Sequence, residues 1–434
     1  MGLPLTPPSS SRLPHRRWRM AFLLAFGVIV NFFDRINLSV SQDALHASFG
    51  LSLIAFGYLS SAFSWTYALM QMPAGILLDR FGVRRVGRIS TFLWSIASFG
   101  AAISPALGLF FGARLLLGVA EAPTFPANAK AIGYWFPQRE RSLAISLTDA
   151  AAKLSSAIGV PFLGLLLLHF GWRFTFAASG FLSLLYFALF YLLYRNPRED
   201  KQLSAEELHY ITEGGAQPEN QVHAKRASLL GYLLLQRKVY GLALGWGAYN
   251  YSFFLLLTWL PSYLSTAHHM DLLHSAFYTS APWFFATFTD LVVGGWLVDA
   301  LIQRGWNANR VRQSVLIIGT GFGLAIFGAA HASSPIAALG WISLALGGLA
   351  AAAPVAWTVP SLIAPRDSVG TLASIANLSG QLAAISAPII TGYIVSATHS
   401  FDLAFVTATV ILFLGIAGYA LLLGRIEPIP EPAG

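Results

Sequence analysis

Long apolar runs, each about the length of a bilayer crossing, alternate along the chain with short polar or basic turns. A helix rises about 1.5 Å per residue, so crossing about 30 Å of hydrocarbon takes about 20 residues. The runs that reach this length are 20–41, 54–78, 86–105, 108–136, 142–170, 173–195, 240–265, 274–302, 311–331, 334–363, 368–397 and 401–424. They are too long for barrel strands and lack period-two alternation, which predicts helices. Several exceed the minimum, as tilted or extended spans do. The expected fold is an all-α membrane protein with twelve transmembrane helices in two six-helix halves. The expected organisation is an N-terminal segment 1–19, a bundle 20–195, a polar linker 196–239, a bundle 240–424 and a tail 425–434.

The polar positions orient this array. Lys and Arg collect at alternate turns: Arg12, Arg16, Arg17 and Arg19; Arg80, Arg84, Arg85 and Arg88; Arg139 and Arg141; Arg195, Arg198, Lys201, Lys225, Arg226, Arg237 and Lys238; Arg304, Arg310 and Arg312; Arg366; and Arg425. These are 22 of the 27 basic residues, and the opposite turns hold only Arg173. Both termini and the linker are therefore expected in the cytoplasm, in an inner membrane. The linker mixes these basic residues with Glu199, Asp200, Glu206, Glu207, Glu213 and Glu219, and a short amphipathic helix is expected near Ser204–Thr212.

Composition narrows the function classes. Of 434 residues 56% are hydrophobic and only 11% charged, less than half the share of a soluble domain, so lipid must serve as solvent for most of the surface. The net charge of +8 is explained by the basic turns and anionic lipid, without nucleic acid. There is no cysteine, which removes disulfides, iron–sulfur ligation and thiol catalysis. The ten histidines lack metal-ligand spacing, no Gly-rich Walker loop is present, and no nucleophile–base motif appears. The Arg-rich start precedes a run too long, and too polar at Asp34 and Arg35, for a cleaved signal, so it is expected to be retained. Asn250-Tyr-Ser lies inside a run and is not read as a glycosylation site.

The halves echo one another. Gly75-Ile-Leu-Leu-Asp79 recurs as Gly295-Trp-Leu-Val-Asp299. Pro137 matches Pro365, and at that offset Asp149 falls on Asn377, Lys153 on Gln381 and Gly164 on Gly392. Duplicated halves with a polar site between them are the plan of a secondary transporter.

Within the runs sit Asp34, Arg35, Arg114, Glu121, Lys130, Asp149, Lys153 and Asp290. Each costs about 2.5–3.5 kcal/mol at a helix centre, so each should face a partner or a cavity. Arg35 lies mid-run and presents a planar, permanently charged fork suited to a carboxylate, although a fixed ion pair is the alternative. Asp34 and Glu121 are candidates to carry protons. Arg114 and Glu121 are seven residues apart on one helix face, a spacing that lets Asp34 share Arg114 with Glu121. Lys153 either adds a second cationic contact to substrate or simply pairs with Asp149 one turn away. Tyr67 can hydrogen-bond a substrate, Gln381 lies one turn from Asn377, and Tyr249, Asn250 and Tyr251 are placed to line or gate the second half. Lys130 and Asp290 are expected to be structural charges on the cytoplasmic side.

A family resemblance covers nearly the whole chain. Gly75-x-x-x-Asp79-Arg80-x-Gly82-x-Arg84-Arg85 resembles the loop signature of the major facilitator superfamily, a conformational latch in which glycine permits a tight turn and Asp79 can cap a helix. Asn31-Phe-Phe-Asp34-Arg35-Ile-Asn37, Arg114-x6-Glu121-Ala-Pro123-x-Phe-Pro126, Tyr134-Trp-Phe-Pro137-x-Arg139-Glu-Arg141 and Gly171-Trp-Arg173 resemble its anion:cation symporter branch. That branch includes bacterial permeases for galactonate, hexuronates, glucarate and aromatic acids, and animal carriers of sialic acid and glutamate. The resemblance implies that Arg35 binds the substrate carboxylate, and that Asp34, Glu121 and Arg114 form the coupling network. It further implies that Trp357 and Asn377 are the aromatic and amide facing substrate. The chain departs from the galactonate-like members at Ala152, where they have glutamine, and at Phe32, where some have tyrosine.

The expected function is proton-coupled symport of a small organic anion, such as a sugar acid, by a monomer. Its partners are that anion, protons and lipid, and it needs no cofactor beyond the proton. An organic anion/phosphate antiporter is the alternative, and a transporter-like receptor is a further one. The antiporter would be expected to use a second cation in the second half, yet 240–265 holds no Lys or Arg.

Overall fold

The computed structural model describes residues 15–216, 230–267, 269–365 and 368–431. Arg12, Glu219, Lys225, Arg226 and Arg366 lie outside the described residues, as does the side chain of Arg139. Every regular element among the described residues is helical. The first half comprises α1 (Arg16–Val40), α2 (Gln42–Phe49), α3 (Leu53–Ile103), α4 (Leu107–Glu121), α5 (Thr124–Trp135) and α6 (Gln138–Leu193). The linker holds α7 (Ala205–Glu213) and α8 (Leu230–Leu233). Next come α9 (Arg237–Ala267), α10 (Leu272–Thr289) and a π-helical stretch Asp290–Leu297 that runs into α11 (Val298–Gln303). The chain finishes with α12 (Ala308–Gly323), α13 (Ile326–Ala330), α14 (Pro335–Ile363), α15 (Val369–Thr398), α16 (Asp402–Ala417) and a π-helical stretch Gly418–Leu423. Nine helical spans among the described residues, four of them joining consecutive elements (α4 with α5, α10 through α11, α12 with α13, and α16 with its π-helical stretch), are long and apolar enough to cross a membrane. The protein is a multi-pass membrane protein.

Two of the nine are too long for one crossing. At about 1.5 Å per residue, α3 with 51 residues would reach about 77 Å and α6 with 56 residues about 84 Å. Each is two helices meeting at a glycine outside the helical region, Gly82 (φ 76°, ψ 164°) and Gly171 (φ 77°, ψ 170°). Only glycine adopts such angles without strain. A Cβ added at Gly171 would meet nothing within 4 Å, so the cost of Gly171→Ala is conformational alone. We expect it to lower stability by about 1–3 kcal/mol in a thermal-unfolding assay in detergent.

The run expected at 108–136 is divided into α4 and α5. Pro123 has no N–H to continue the ladder, so the helix breaks directly after Glu121. The linker helix forms at Ala205–Glu213, where the Ser204 hydroxyl accepts from the Glu207 N–H at 3.1 Å. It is clamped to the start of the first half. Glu207 accepts the backbone N–H groups of Arg16 and Arg17, both at 3.1 Å, and so caps α1. Arg17 also pairs with Glu207 at 2.9 Å and with Glu140 at 2.8 Å, and Arg16 pairs with Asp200 at 2.8 Å.

The halves meet along two seams, α6 on α10 and α15 on α3, with α1 also touching α9. Small residues allow the approach. Gly164 of α6 faces Ala276 of α10, and Gly392 of α15 faces the Leu53 carbonyl of α3, each with about 2.7 Å for an added Cβ. These two glycines are the pair matched by the internal repeat. Hydrogen bonds close the same end. Ser61 donates to the Ile385 carbonyl at 2.8 Å, Ser39 to the Thr258 carbonyl at 2.6 Å, and Gln42 to Ser262 at 3.2 Å. The sealed end lies opposite the turns that carry the basic residues.

Candidate functional site

Arg35 projects from α1 with its side chain only 8% exposed. Its guanidinium carbon lies 4.7 Å from the Phe32 ring centre, 4.4 Å from that of Phe63 and 5.4 Å from that of Tyr67, an aromatic box that suits a delocalised cation. Its acid partner is Glu121, at the end of α4. Nε and Nη2 both reach the same oxygen, Oε2, at 3.4 and 3.2 Å. Charge-assisted pairs are usually about 2.7–2.9 Å and an arginine fork best grips two oxygens, so this pair is loose. Oε1 of Glu121 is buried with no hydrogen-bond partner.

The Asp34 carboxylate, which the spacing allowed to share Arg114 with Glu121, makes its hydrogen bonds elsewhere. It turns away from Arg35 and accepts from Trp94 Nε1, from Ser98 at 2.8 Å and from Ser183 at 3.1 Å. Arg114 donates instead to the backbone carbonyl of Asp34, at 3.1 Å, which ties α4 to α1. It stays within electrostatic range of both acids. Sequence reasoning missed Trp94, Ser98 and Ser183, because nothing local marks neutral donors 60 to 149 residues away as partners. Trp94→Phe removes one donor from a buried carboxylate. We expect a stability loss of about 1.5–3 kcal/mol in thermal unfolding, with reduced transport.

A polar chain crosses from one half to the other. Tyr67 interacts with Arg35 and with Gln71, and Gln71 Oε1 accepts from Asn377 of α15 at 3.5 Å. Gln71 was not anticipated; it lies one helical turn beyond Tyr67. Gln381 is half-buried one turn from Asn377. Trp357 is 45% exposed and packs edge-on to Trp246 at 4.8 Å, and Trp246 stacks on Tyr249 at 5.1 Å. Asn250 folds back onto the Trp246 carbonyl at 2.8 Å, and Tyr251 is buried in the core. Ala152 is buried, and Phe32 meets Phe253 edge-on at 6.3 Å.

Lys153 pairs with Asp149 at 2.8 Å and also with Asp290 across the α6–α10 seam. Asp290, expected as a structural charge, is fully buried at the start of the π-helical stretch and ion-paired to the other half. No local signal could have paired residues 137 positions apart.

The loop signature is also resolved into contacts. Gly82 makes the turn, whereas Gly75 sits inside α3 with open space at its Cβ position. Among the described residues Asp79 caps no helix; it takes Lys130 at 2.6 Å, and Lys130 also donates to the Leu78 carbonyl at 3.0 Å. Arg84 pairs with Glu199 at 2.6 Å, and Arg80 lies 5.2 Å from the Phe81 ring. This loop therefore ties α3 to α5 and to the start of the linker.

A family model described as Major Facilitator Superfamily matches residues 24–385. The chain belongs to that superfamily. It is 39% identical over 416 residues to "Uncharacterized transporter YybO" of Bacillus subtilis strain 168, covering 96% of both chains. It is 32% identical over 428 residues to "Probable galactarate/D-glucarate transporter GarP" of Escherichia coli K12, covering 95% of this chain and 96% of that one. The solved structure of a bacterial homologue of the human lysosomal transporter Spinster, inward-facing and unoccupied, superposes with a TM-score of 0.74 at 18% identity, covering 96% of this chain and 99% of that one. As a member of the Major Facilitator Superfamily the protein is a secondary transporter and not an enzyme.

Proposed function

We propose that the protein takes up a small organic anion of the sugar-acid class together with protons, by alternating access between two six-helix halves. Dividing α3 at Gly82 and α6 at Gly171, and counting α9 with the nine apolar helices, supports twelve spans. The basic turns support an inner-membrane orientation with both termini in the cytoplasm, and nothing in the mechanism needs more than a monomer. In that orientation the sealed end faces outward.

The loose Arg35–Glu121 pair carries this reading. A substrate carboxylate offers the fork two oxygens where Glu121 offers one, so it is the better ligand once Glu121 is neutral. Protonation of Glu121 releases Arg35, and substrate takes its place. A cavity of about 20 Å³ beside the guanidinium is lined by Arg35, Arg114, Ser39, Ser60, Ser64 and Thr258. It has room for about one water, so a sugar acid fits only when Glu121 leaves or the halves part. Tyr67, Asn377, Gln381 and Trp357 supply hydroxyl-directed and aromatic contacts, and Lys153 stands behind them. Asp34, with its three neutral donors, and Arg114, which positions its backbone, complete the proton-coupling set. Gly75, Asp79, Arg80, Gly82 and Arg84 act as the latch. Each coupled charge contributes about 2.3 kcal/mol per 100 mV of membrane potential.

The name borne by GarP supports galactarate and D-glucarate as the first substrates to try. The exchanger reading is disfavoured, because α9 brings no Lys or Arg between 240 and 265 and Lys153 is already matched by two acids. A thermal-shift screen of purified protein against sugar acids, aromatic acids and phosphorylated sugars tests the class, and counterflow in liposomes then separates carrier from receptor. Stabilisation by sugar acids with counterflow is expected. Stabilisation by phosphorylated sugars alone, or binding with no counterflow, would overturn it.

A further inference from the structure

We propose that Asp290 is a further proton-binding residue of the transport cycle, with Lys153 as the counter-ion that it holds while deprotonated. The proposal rests on the transport reading above and adds a site in the second half to the two acids of the first.

Three observations carry it. First, the cluster is unbalanced: Asp149 and Asp290 share one ammonium, Lys153, at a place where Lys153 and Asp290 are buried and only Asp149 has some exposure, at 22%. An Asp290 that loses its share of Lys153 is an uncompensated charge inside a span, which is costly and calls for a neutralising proton. Second, the pair bridges the halves. Lys153 belongs to α6 and Asp290 to the α10–α11 span, so rocking one half against the other shears this contact. Third, the charges are not needed to close a seam. The companion seam, α15 on α3, is matched to this one by the internal repeat, and it is bridged by amides, Asn377 to Gln71, where this seam carries ions. A seam that closes with neutral groups on one side of the molecule and with ions on the other is using the ions for something besides closure.

Among the described residues the elements packed on Asp290 bring few titratable groups. Asp290 is faced by Lys153 and Asp149 of α6 and by Tyr249 of α9, which interacts with the same cluster. α14 also packs on this stretch and contains no titratable residue. His274 and Tyr278 of α10 and Asp299 of α11 lie nine or more residues away along the chain. The helix changes from α to π at Asp290, and such turns are frequent at functional sites. In the proposed step the seam parts, Asp290 gains one proton from water to form the carboxylic acid, and Lys153 stays with Asp149 as a neutral pair. When the seam closes the proton leaves and Asp290 returns to Lys153.

Asp290→Asn leaves the Asp149–Lys153 pair intact and removes the titrating oxygen. In proteoliposomes with the membrane potential clamped, the slope of log accumulation of labelled D-glucarate against the imposed pH gradient counts coupled protons. The slope is expected to fall by about one, which is about tenfold less accumulation per pH unit. Asp290→Glu is expected to restore it. An undiminished slope in D290N overturns the proposal. A second measurement needs no substrate and so separates this proposal from the transport reading. Infrared difference spectra of the full-length protein in nanodiscs, between acid and neutral pH, are expected to lose one protonated-carboxyl band in D290N. An identical spectrum in D290N overturns the proposal whether or not any sugar acid is carried.

Discussion

Arg35→Lys is expected to abolish uptake. The ammonium keeps the charge opposite Glu121, so the fold is expected to survive, but it loses both features that suit this position to the proposed anion. A lysine cannot present two parallel donors to a carboxylate, and it gives up the face-on contacts now made with Phe32 and Phe63 at 4.7 and 4.4 Å. Losing a buried, hydrogen-bonded charge contact of this kind costs about 2–5 kcal/mol, which is about 30-fold to several thousandfold in affinity. Titration calorimetry with galactarate on purified protein, and counterflow in liposomes, measure it. Uptake within a few-fold of the unmodified protein would mean that substrate binds elsewhere and that Arg35 serves only Glu121.

The second large effect is expected at Glu121, where loss of charge should uncouple binding from pH. In the proposed mechanism Glu121 competes with substrate for one guanidinium while deprotonated, and does not while protonated. Binding linked to one proton weakens about tenfold per pH unit once Glu121 is charged, and by reciprocity substrate raises the proton affinity of Glu121 by the factor by which protonation raises substrate affinity. Glu121→Gln is permanently in the releasing state. Its affinity for sugar acids is expected to be high and flat with pH, and its accumulation under an imposed proton gradient is expected to collapse. Binding that keeps the slope of the unmodified protein would remove Glu121 from the coupling step.

Much of this was legible in the sequence because lipid imposes simple rules. Span lengths, the two breaks near Gly82 and Gly171 and the short set of in-span charges follow from hydropathy and from the cost of burying charge. What was not legible is which charge meets which partner. Asp34 and Arg35 are neighbours in sequence, yet helical geometry sends one to Trp94, Ser98 and Ser183 and the other to Glu121. Arg114 stood two turns from Glu121 and met a carbonyl of α1 instead. Asp290 was expected as a structural charge, and it is the approach of α6 to α10 that places it against Lys153. Such pairings depend on how helices distant in sequence are packed, and a hydropathy pattern carries no record of that. The helix break after Glu121 had a visible cause in Pro123, and the π turn at Asp290 had none.

The central claim is that one guanidinium is passed between an internal carboxylate and the carboxylate of the substrate, with a proton deciding which holds it. Calorimetry of galactarate binding in buffers that differ in ionisation heat counts the protons taken up as substrate binds. About one proton per substrate is expected at a pH where Glu121 is charged beforehand, and about none in Glu121→Gln. Substrate binding with no proton uptake in the unmodified protein, or with the same uptake in E121Q, would contradict it.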